Sequence, residues 1–314
     1  MKDFIANGRT YILTEGLRSR IKPNWQEMLN PAKSRVIKVD PYEFATSVFL
    51  AERNLAQFGE SLVGKDILEI GCNEGARCFL MAKYRDTKVH GIDVDEYTVA
   101  QSPDLNLWNP KDIEFVHGKF ADMRKELSNK FPHSVNCNVT FETVGIEDYK
   151  TSKPHDILIS WDTLEHITNL NLAFNQMAGI VKEGGIVYHE YNPFFALNGG
   201  HSLCTLDFLY GHCRLSGEDF ERYVREIRPE EEKIDLNFYH KCLNRGTIKD
   251  FRELAELNGF EVLYQGGATG FGNETELVIK RIRDEFLPEV NKHYPKASVE
   301  DLLYESAQII LRKK

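Results

Sequence analysis

Residues Asp66-Ile67-Leu68-Glu69-Ile70-Gly71-Cys72-Asn73-Glu74-Gly75 decide how this chain folds. The first five are short and mostly apolar and follow a Gly-Lys turn, the pattern of a strand buried on both faces of a parallel sheet. Gly71 and Gly75 bracket a tight turn where a side chain would collide with a ligand or strain the backbone. Ala76 to Lys83 then reads as a helix, so a strand feeds a glycine turn that opens a helix N-terminus and presents free amides. A dinucleotide fingerprint GxGxxG would need a second glycine two residues after the first, but that position is Asn73. Glu69, two residues before Gly71, also disfavours a phosphate and favours a cation.

Acid-x-Gly-x-x-x-Gly at the end of a first strand resembles motif I of class I S-adenosylmethionine (SAM)-dependent methyltransferases. The resemblance implies a Rossmann-like, doubly wound sheet of seven strands with the last one antiparallel. It also implies SAM contacts from Glu69, Gly71, Cys72, Asn73 and Gly75.

Lys88 to Ile92 reads as the second strand and ends at Asp93, about twenty residues past the turn, where a carboxylate can accept both hydroxyls of a ribose. The family places an acid there, so Asp93, with Val94 beside it, takes that role by resemblance. Ile113–Asp122 and Val139–Asp148 both look like strands ending in acidic loops. The second lies directly before the next strand, so Gly145, Ile146 and Glu147 are assigned to the adenine, with Lys119, Phe120 and Ala121 as the alternative.

Asp156 to Ser160 is the next buried strand, followed by Trp161-Asp162-Thr163-Leu164-Glu165-His166. The string DxLEH after an aspartate-led strand resembles a signature of the methyltransferase group that includes ubiquinone-biosynthesis O-methyltransferases. Ser160 and Trp161 are thereby placed against the cofactor. A helix beginning near Trp161 would set Asp162, Glu165 and His166 on one face. Asp162, His166 and His201 are then the catalytic candidates, with His166 or His201 as a general base. Some relatives carry a similar acid-x-x-Glu-His set plus a distant His, which implies a divalent ion, Mg or Mn, on Asp162, Glu165, His166 and His201, or less readily His189.

Outward from this centre, a helix is expected from Pro41 to about Gly59, another over Asn169–Val181, and strands at Ile186–Tyr191, Phe260–Tyr264 and Gln308–Leu311. Residues 1–40 read as an arm or lid, 41–193 as the SAM-binding core, 194–246 as a substrate-binding insertion, and 247–314 as the rest of the core with a helical insertion at 276–303. The insertion at 194–246 follows a strand's carboxyl end, where ligands bind in doubly wound sheets. Arginines 222, 225 and 228 are interleaved with Glu218, Glu221 and Glu226, as on a solvated, salt-bridged face.

A net charge of −9 over 314 residues speaks against a long basic track for nucleic acid. Six cysteines without a CxxC pair suit a reducing cytoplasm. No stretch approaches a membrane span and no apolar leader opens the chain. The expected activity is SAM-dependent methylation, at oxygen, of a small polar acceptor such as a sugar or metabolite. A catalytically silent SAM-binding protein and an aminopropyltransferase are the alternatives.

Overall fold

A computed structural model describes residues 3–23, 25, 40–94, 109–201 and 203–314. Nine strands are present: β1 (Phe4–Ala6), β2 (Arg9–Tyr11), β3 (Asp66–Ile70), β4 (Lys88–Asp93), β5 (Val139–Thr143), β6 (His155–Trp161), β7 (Val181–Tyr191), β8 (Phe260–Ala268) and β9 (Ser306–Lys313). The first two form a separate hairpin, and the other seven make one sheet in the order β5-β4-β3-β6-β7-β9-β8. The pairings from β5 through to β7 are all parallel, whereas β9 runs antiparallel to both β7 and β8. This is the Rossmann-like methyltransferase sheet that the motifs imply.

Strand alternation sorts the side chains onto two cores. Ile67, Ile157, Ile159 and Trp161 face one side with Val48, Ala51 and Leu55 of α2 (Ala45–Ala56) and with Phe79 and Met81 of α3 (Ala76–Met81). Leu68, Ile70 and Leu158 face the other, against Phe174 and Met177 of α5 (Leu170–Ile180) and Phe251 and Ala255 of α8 (Ile248–Leu257). α2 is entered through a 3₁₀ turn, Pro41–Phe44, which Asp40 caps by accepting from the Tyr42 amide and Pro41 opens.

Ile113–Asp122 is not a strand. It lies within α4 (Pro110–Ser128), a nineteen-residue helix. Asn109 caps it by accepting from Lys111 N, Pro110 opens it, and Val116, Phe120, Arg124 and Leu127 form the buried stripe at helical spacing. The apolar alternation of Ile113, Phe115 and His117 imitates a strand, but Phe115 is more than half exposed and buries nothing.

A third core lies over the carboxyl ends of the strands. It unites Phe4 and Tyr11 of the hairpin with Phe194, Phe195 and Leu203, with Phe220 and Tyr223 of α6 (Gly217–Ile227), with Phe238 and Tyr239 of α7 (Glu232–Lys241), and with Ile282, Val290 and Leu302. The cap is therefore built from three separated stretches. Buried pairs fasten them: Arg18 to Glu231 at 2.5 Å, where Arg18 is on α1 (Leu17–Ile21), and Arg214 to Glu289 at 3.0 Å. Arg222 and Arg225 pair with Asp219 and Glu221 on their own helix, the salt-bridged face expected, while Arg228 is buried against Asp207. Among the described residues no helix is long and apolar enough to cross a membrane.

Candidate active site

The turn after β3 is folded by its glycines. Gly71 and Gly75 have φ of +73° and +84°, and Asn73 between them has φ of +50°. A Cβ on Gly71 would stand 2.6 Å from Thr163 Cγ2, and one on Gly75 2.5 Å from Phe141 Cε1. Gly71 N and Cys72 N both donate to Ile92 O, at 2.8 and 3.1 Å, which ties the turn to the end of β4. Asn73 is clamped from both sides: its N–H donates to Asp93 Oδ2 at 2.7 Å, and its carbonyl accepts from Arg124 Nη2 at 2.6 Å. Arg124 comes from α4, so the helix that contains the misread segment supplies half of the clamp.

Gly71, Cys72, Asn73 and Asp93 line a cavity of about 610 Å³ at the carboxyl ends of β3, β4 and β6. Its wall also includes Glu74, Val94, Gly145, Ile146 and Glu147, with Phe120 of α4. Both stretches weighed for the adenine thus reach the wall, one through its loop and the other through a single ring. Phe44, Arg77, Trp161, Asp162, Thr163, His166, Lys241 and Cys242 line it as well. Arg77 lies over the rings of Phe44 and Trp161 at 4.6 and 5.0 Å, and its nearest carboxylate is Asp162 at 3.9 Å.

Several expected site residues stand elsewhere. Glu69 is fully buried on the α3 side, where its Oε2 accepts from Cys78 Sγ at 2.9 Å. Burial pushes its carboxyl up to about 8, although the Arg77 charge opposes this. Ser160 is buried on the opposite face, with its Oγ 2.6 Å from His189 Nδ1, and is not in the cavity wall. His189 and Gly75 are not in the wall either.

The expected helix at Trp161 does not form. Asp162 turns at φ +50°, and only Leu164–His166 coil, as a short 3₁₀ turn. Asp162 consequently points outward, its side chain 66% exposed, while Glu165 goes inward and is fully buried. The three-residue face of Asp162, Glu165 and His166 is replaced by Glu165, His166 and His201, whose ligand atoms lie within 4.8 Å of one another. Asp162 is not part of that group.

Glu165 Oε1 accepts from Asn192 N at 3.1 Å and stands 4.0 Å from Nε2 of both His166 and His201. Among the described residues, Glu165 Oε2 and His201 Nε2 have no hydrogen-bond partner. His166 Nδ1 is 2.5 Å from the Cys242 carbonyl, so Nδ1 carries the proton and Nε2 is the proton-accepting nitrogen. Burial lowers His166 to about 4 and raises Glu165 to about 8, the latter helped by the Asp162 charge. His201 is likewise held well below the ordinary histidine value by burial.

These shifts set a pH optimum for stability. Folded Glu69 and Glu165 keep their protons to about 8, whereas unfolded glutamates lose theirs near 4.5. The folded state binds more protons in that window, so stability falls as pH rises towards 8. Folded His166, His189 and His212 stay neutral down to about 4, 3 and 4, whereas unfolded histidines protonate near 6.5. Their contribution is present above 6.5 and is lost as pH falls through the window below it. Unfolding free energies from urea titrations should therefore peak near pH 6.5 and decline on the alkaline side by about 1.4 kcal/mol per pH unit for each retained carboxyl proton. A flat profile between 6.5 and 8 would remove the buried neutral carboxyls.

Glu74, Arg77, Phe44, Arg124, Thr163, Lys241 and Cys242 are site residues that the motifs did not identify. Only Arg124 had a usable signal, the Asn-Pro cap and helical stripe of α4.

A family model described as "Methyltransferase domain" matches residues 44–265. Over 133 residues the chain is 29% identical to the ribosomal protein L11 methyltransferase of Syntrophomonas wolfei; the match covers 41% of this chain and 43% of that protein, so it spans less than half of the relative's length. Among solved structures, magnesium protoporphyrin IX methyltransferase from Synechocystis PCC 6803, with bound S-adenosylhomocysteine, aligns over 86% of this chain and 83% of its own at 13% identity, TM-score 0.46. An S-adenosylmethionine-dependent methyltransferase from Mesorhizobium loti aligns over 83% and 96% at 12% identity, also at TM-score 0.46.

Proposed function

We propose, on the premise that the chain belongs to the methyltransferase-domain family, whose model covers 44–265, and is a SAM-dependent methyltransferase, that it methylates a hydroxyl oxygen of a small polar acceptor, such as a sugar or other metabolite. The observation that carries this reading is His166. It is a neutral imidazole in the cavity wall with its protonated nitrogen tied to a carbonyl. A hydroxyl needs a proton acceptor because its own pKa lies far above neutrality.

The wall suits the cofactor. Gly71 and Asn73 take the left-handed backbone that opens the turn, Asp93 offers a carboxylate towards a ribose, and Gly145–Glu147 with Phe120 form a slot for a flat base. When bound, the cofactor supplies a methyl group already activated by the sulfonium charge. The protein has to align and deprotonate. In this reading His166 Nε2 takes the hydroxyl proton as the acceptor oxygen attacks, while Nδ1–H stays on the Cys242 carbonyl. The low basicity of His166 fits transfer in step with attack better than prior formation of an alkoxide. Arg77 and Lys241 hold polar groups of the acceptor at the wall.

A cavity of about 610 Å³ has room for SAM together with a small acceptor. The L11 methyltransferase named above argues for a protein acceptor, but its match spans less than half of that protein. The test is incubation with methyl-labelled SAM and panels of sugars, hydroxylated metabolites and ribosomal proteins. Label moving to a hydroxyl with release of S-adenosylhomocysteine supports the reading. Label moving only to protein amines overturns it, and no turnover with any acceptor favours a silent SAM-binding protein.

A second reading rests on the Glu165, His166 and His201 group, whose partnerless Glu165 Oε2 and His201 Nε2 could ligate a divalent ion. Two imidazoles with one carboxylate suit Mn²⁺ better than Mg²⁺. Such an ion would lower the acceptor hydroxyl's pKa. Manganese titration followed by paramagnetic resonance should then show one bound ion, lost in H201A and kept in D162A. No uptake leaves His166 as the base alone.

A further inference from the structure

We propose that Asn244 is a positioning residue: with Cys242 it forms a strap that holds the turn carrying Glu165 and His166 and so aims the His166 imidazole into the cavity. This deepens the reading of His166 above and rests on it.

The Leu164–His166 turn has little stiffness of its own, since its only internal backbone bond is His166 N to Thr163 O at 2.8 Å. Its carbonyls are held from outside. Asn244 Nδ2 donates to Leu164 O at 2.7 Å and to Ile167 O at 2.9 Å, and Asn244 N donates to Glu165 O at 2.9 Å. Asn244 Oδ1 accepts from Gly246 N at 3.0 Å, so both ends of the buried amide are used. Two residues earlier, the Cys242 carbonyl takes the His166 Nδ1 proton.

An asparagine amide fits this task because it offers two N–H groups and an acceptor on one short, flat side chain. Aspartate would have the shape but no donors. The strap is also continuous with the cap: α7 ends at Lys241, and Lys241 and Cys242 both face the cavity. An acceptor pressing on that wall acts on the loop that sets the imidazole. A purely structural role would be distributed over the fold, whereas this one is read at a single nitrogen.

The experiment uses ¹⁵N-histidine-labelled protein and long-range ¹H–¹⁵N spectra, with the His166 signals assigned by H166Q. In the wild type His166 should be one tautomer, Nδ1–H, held by the Cys242 carbonyl. N244D keeps the acceptor for Gly246 and removes both donors; N244A removes all three side-chain bonds. Both should give mixed tautomers. SAM affinity by calorimetry should stay unchanged, because Gly71, Asn73 and Asp93 have no bond to Asn244.

Retention of the single tautomer in N244D overturns the proposal. So does joint loss of SAM binding and melting temperature in both variants, which would make Asn244 a folding residue only. If the wild type itself binds no SAM, the functional reading fails while the tautomer measurement still decides the strap.

Discussion

Replacing His166 by alanine should lower methyl transfer by about 10²- to 10⁴-fold, the usual contribution of a positioned proton acceptor. The Kd for SAM should stay close to the wild-type value. The separation follows from the roles in this reading: His166 takes the acceptor's proton, whereas the groups suited to SAM are Gly71, Asn73, Asp93 and Ile146 of the same wall. H166Q tests the role more finely, since the amide preserves bulk and can still reach the Cys242 carbonyl but accepts no proton. Equal losses in H166A and H166Q, with unchanged SAM binding, identify proton transfer. A normal rate in either variant, measured on an acceptor found by the panel assay, returns His166 to a structural role. His201 is half-buried and outside the cavity wall, so H201A should act on rate through Glu165 and His166.

Gly71→Ala should be the most damaging small change to the fold. A left-handed backbone costs a non-glycine residue about 1–2 kcal/mol, and crowding a packed site adds about 1–3 kcal/mol. Both apply here, because φ is +73° and the new methyl would meet the Thr163 side chain. Thr163 cannot easily give way, since its hydroxyl donates to Trp161 O at 2.9 Å and its carbonyl starts the His166 turn. A total loss of about 2–5 kcal/mol is expected in urea denaturation, together with weakened SAM binding. Gly64→Ala is the control: its φ is +72° but nothing lies within 4 Å of the added Cβ, so only the backbone part should appear. Equal stability losses in the two variants would remove the Thr163 contact from the account.

The sheet was legible because β3, β4, β6 and β7 are short apolar runs with punctuated ends, and strands buried on both faces need little else. Asp93 was legible for a related reason, since its spacing from the glycine turn is a property of the unit itself. Residues 113–122 were misread because a few alternating apolar residues satisfy either period, and the deciding cap, Asn109-Pro110, lies outside the run. Asp162 was misplaced because DTLEH was given helical spacing, whereas Asp162 adopts a positive φ and the coil begins only at Leu164. Arg124, Cys242 and Asn244 reach the site from 51, 76 and 80 positions away in the chain, as measured to Asn73, His166 and Leu164. No local pattern encodes such contacts. The cap shows the same limit: the hairpin, 194–243 and 282–303 share one core although nothing in any one of them names the others.

The central claim is that the turn at Gly71–Gly75 and the carboxylate of Asp93 form a SAM site. Calorimetric titration of SAM into the wild type and into D93A tests it most directly, with NAD as the comparison ligand. Asp93 holds the Asn73 amide and faces the cavity, so its loss should weaken SAM binding by about 1.5–3 kcal/mol, roughly 10- to 150-fold in Kd. NAD should give no heat. Saturable binding of SAM by the wild type, weakened in D93A, is the expected result; NAD binding without SAM binding, or a D93A affinity equal to the wild type, would contradict the account.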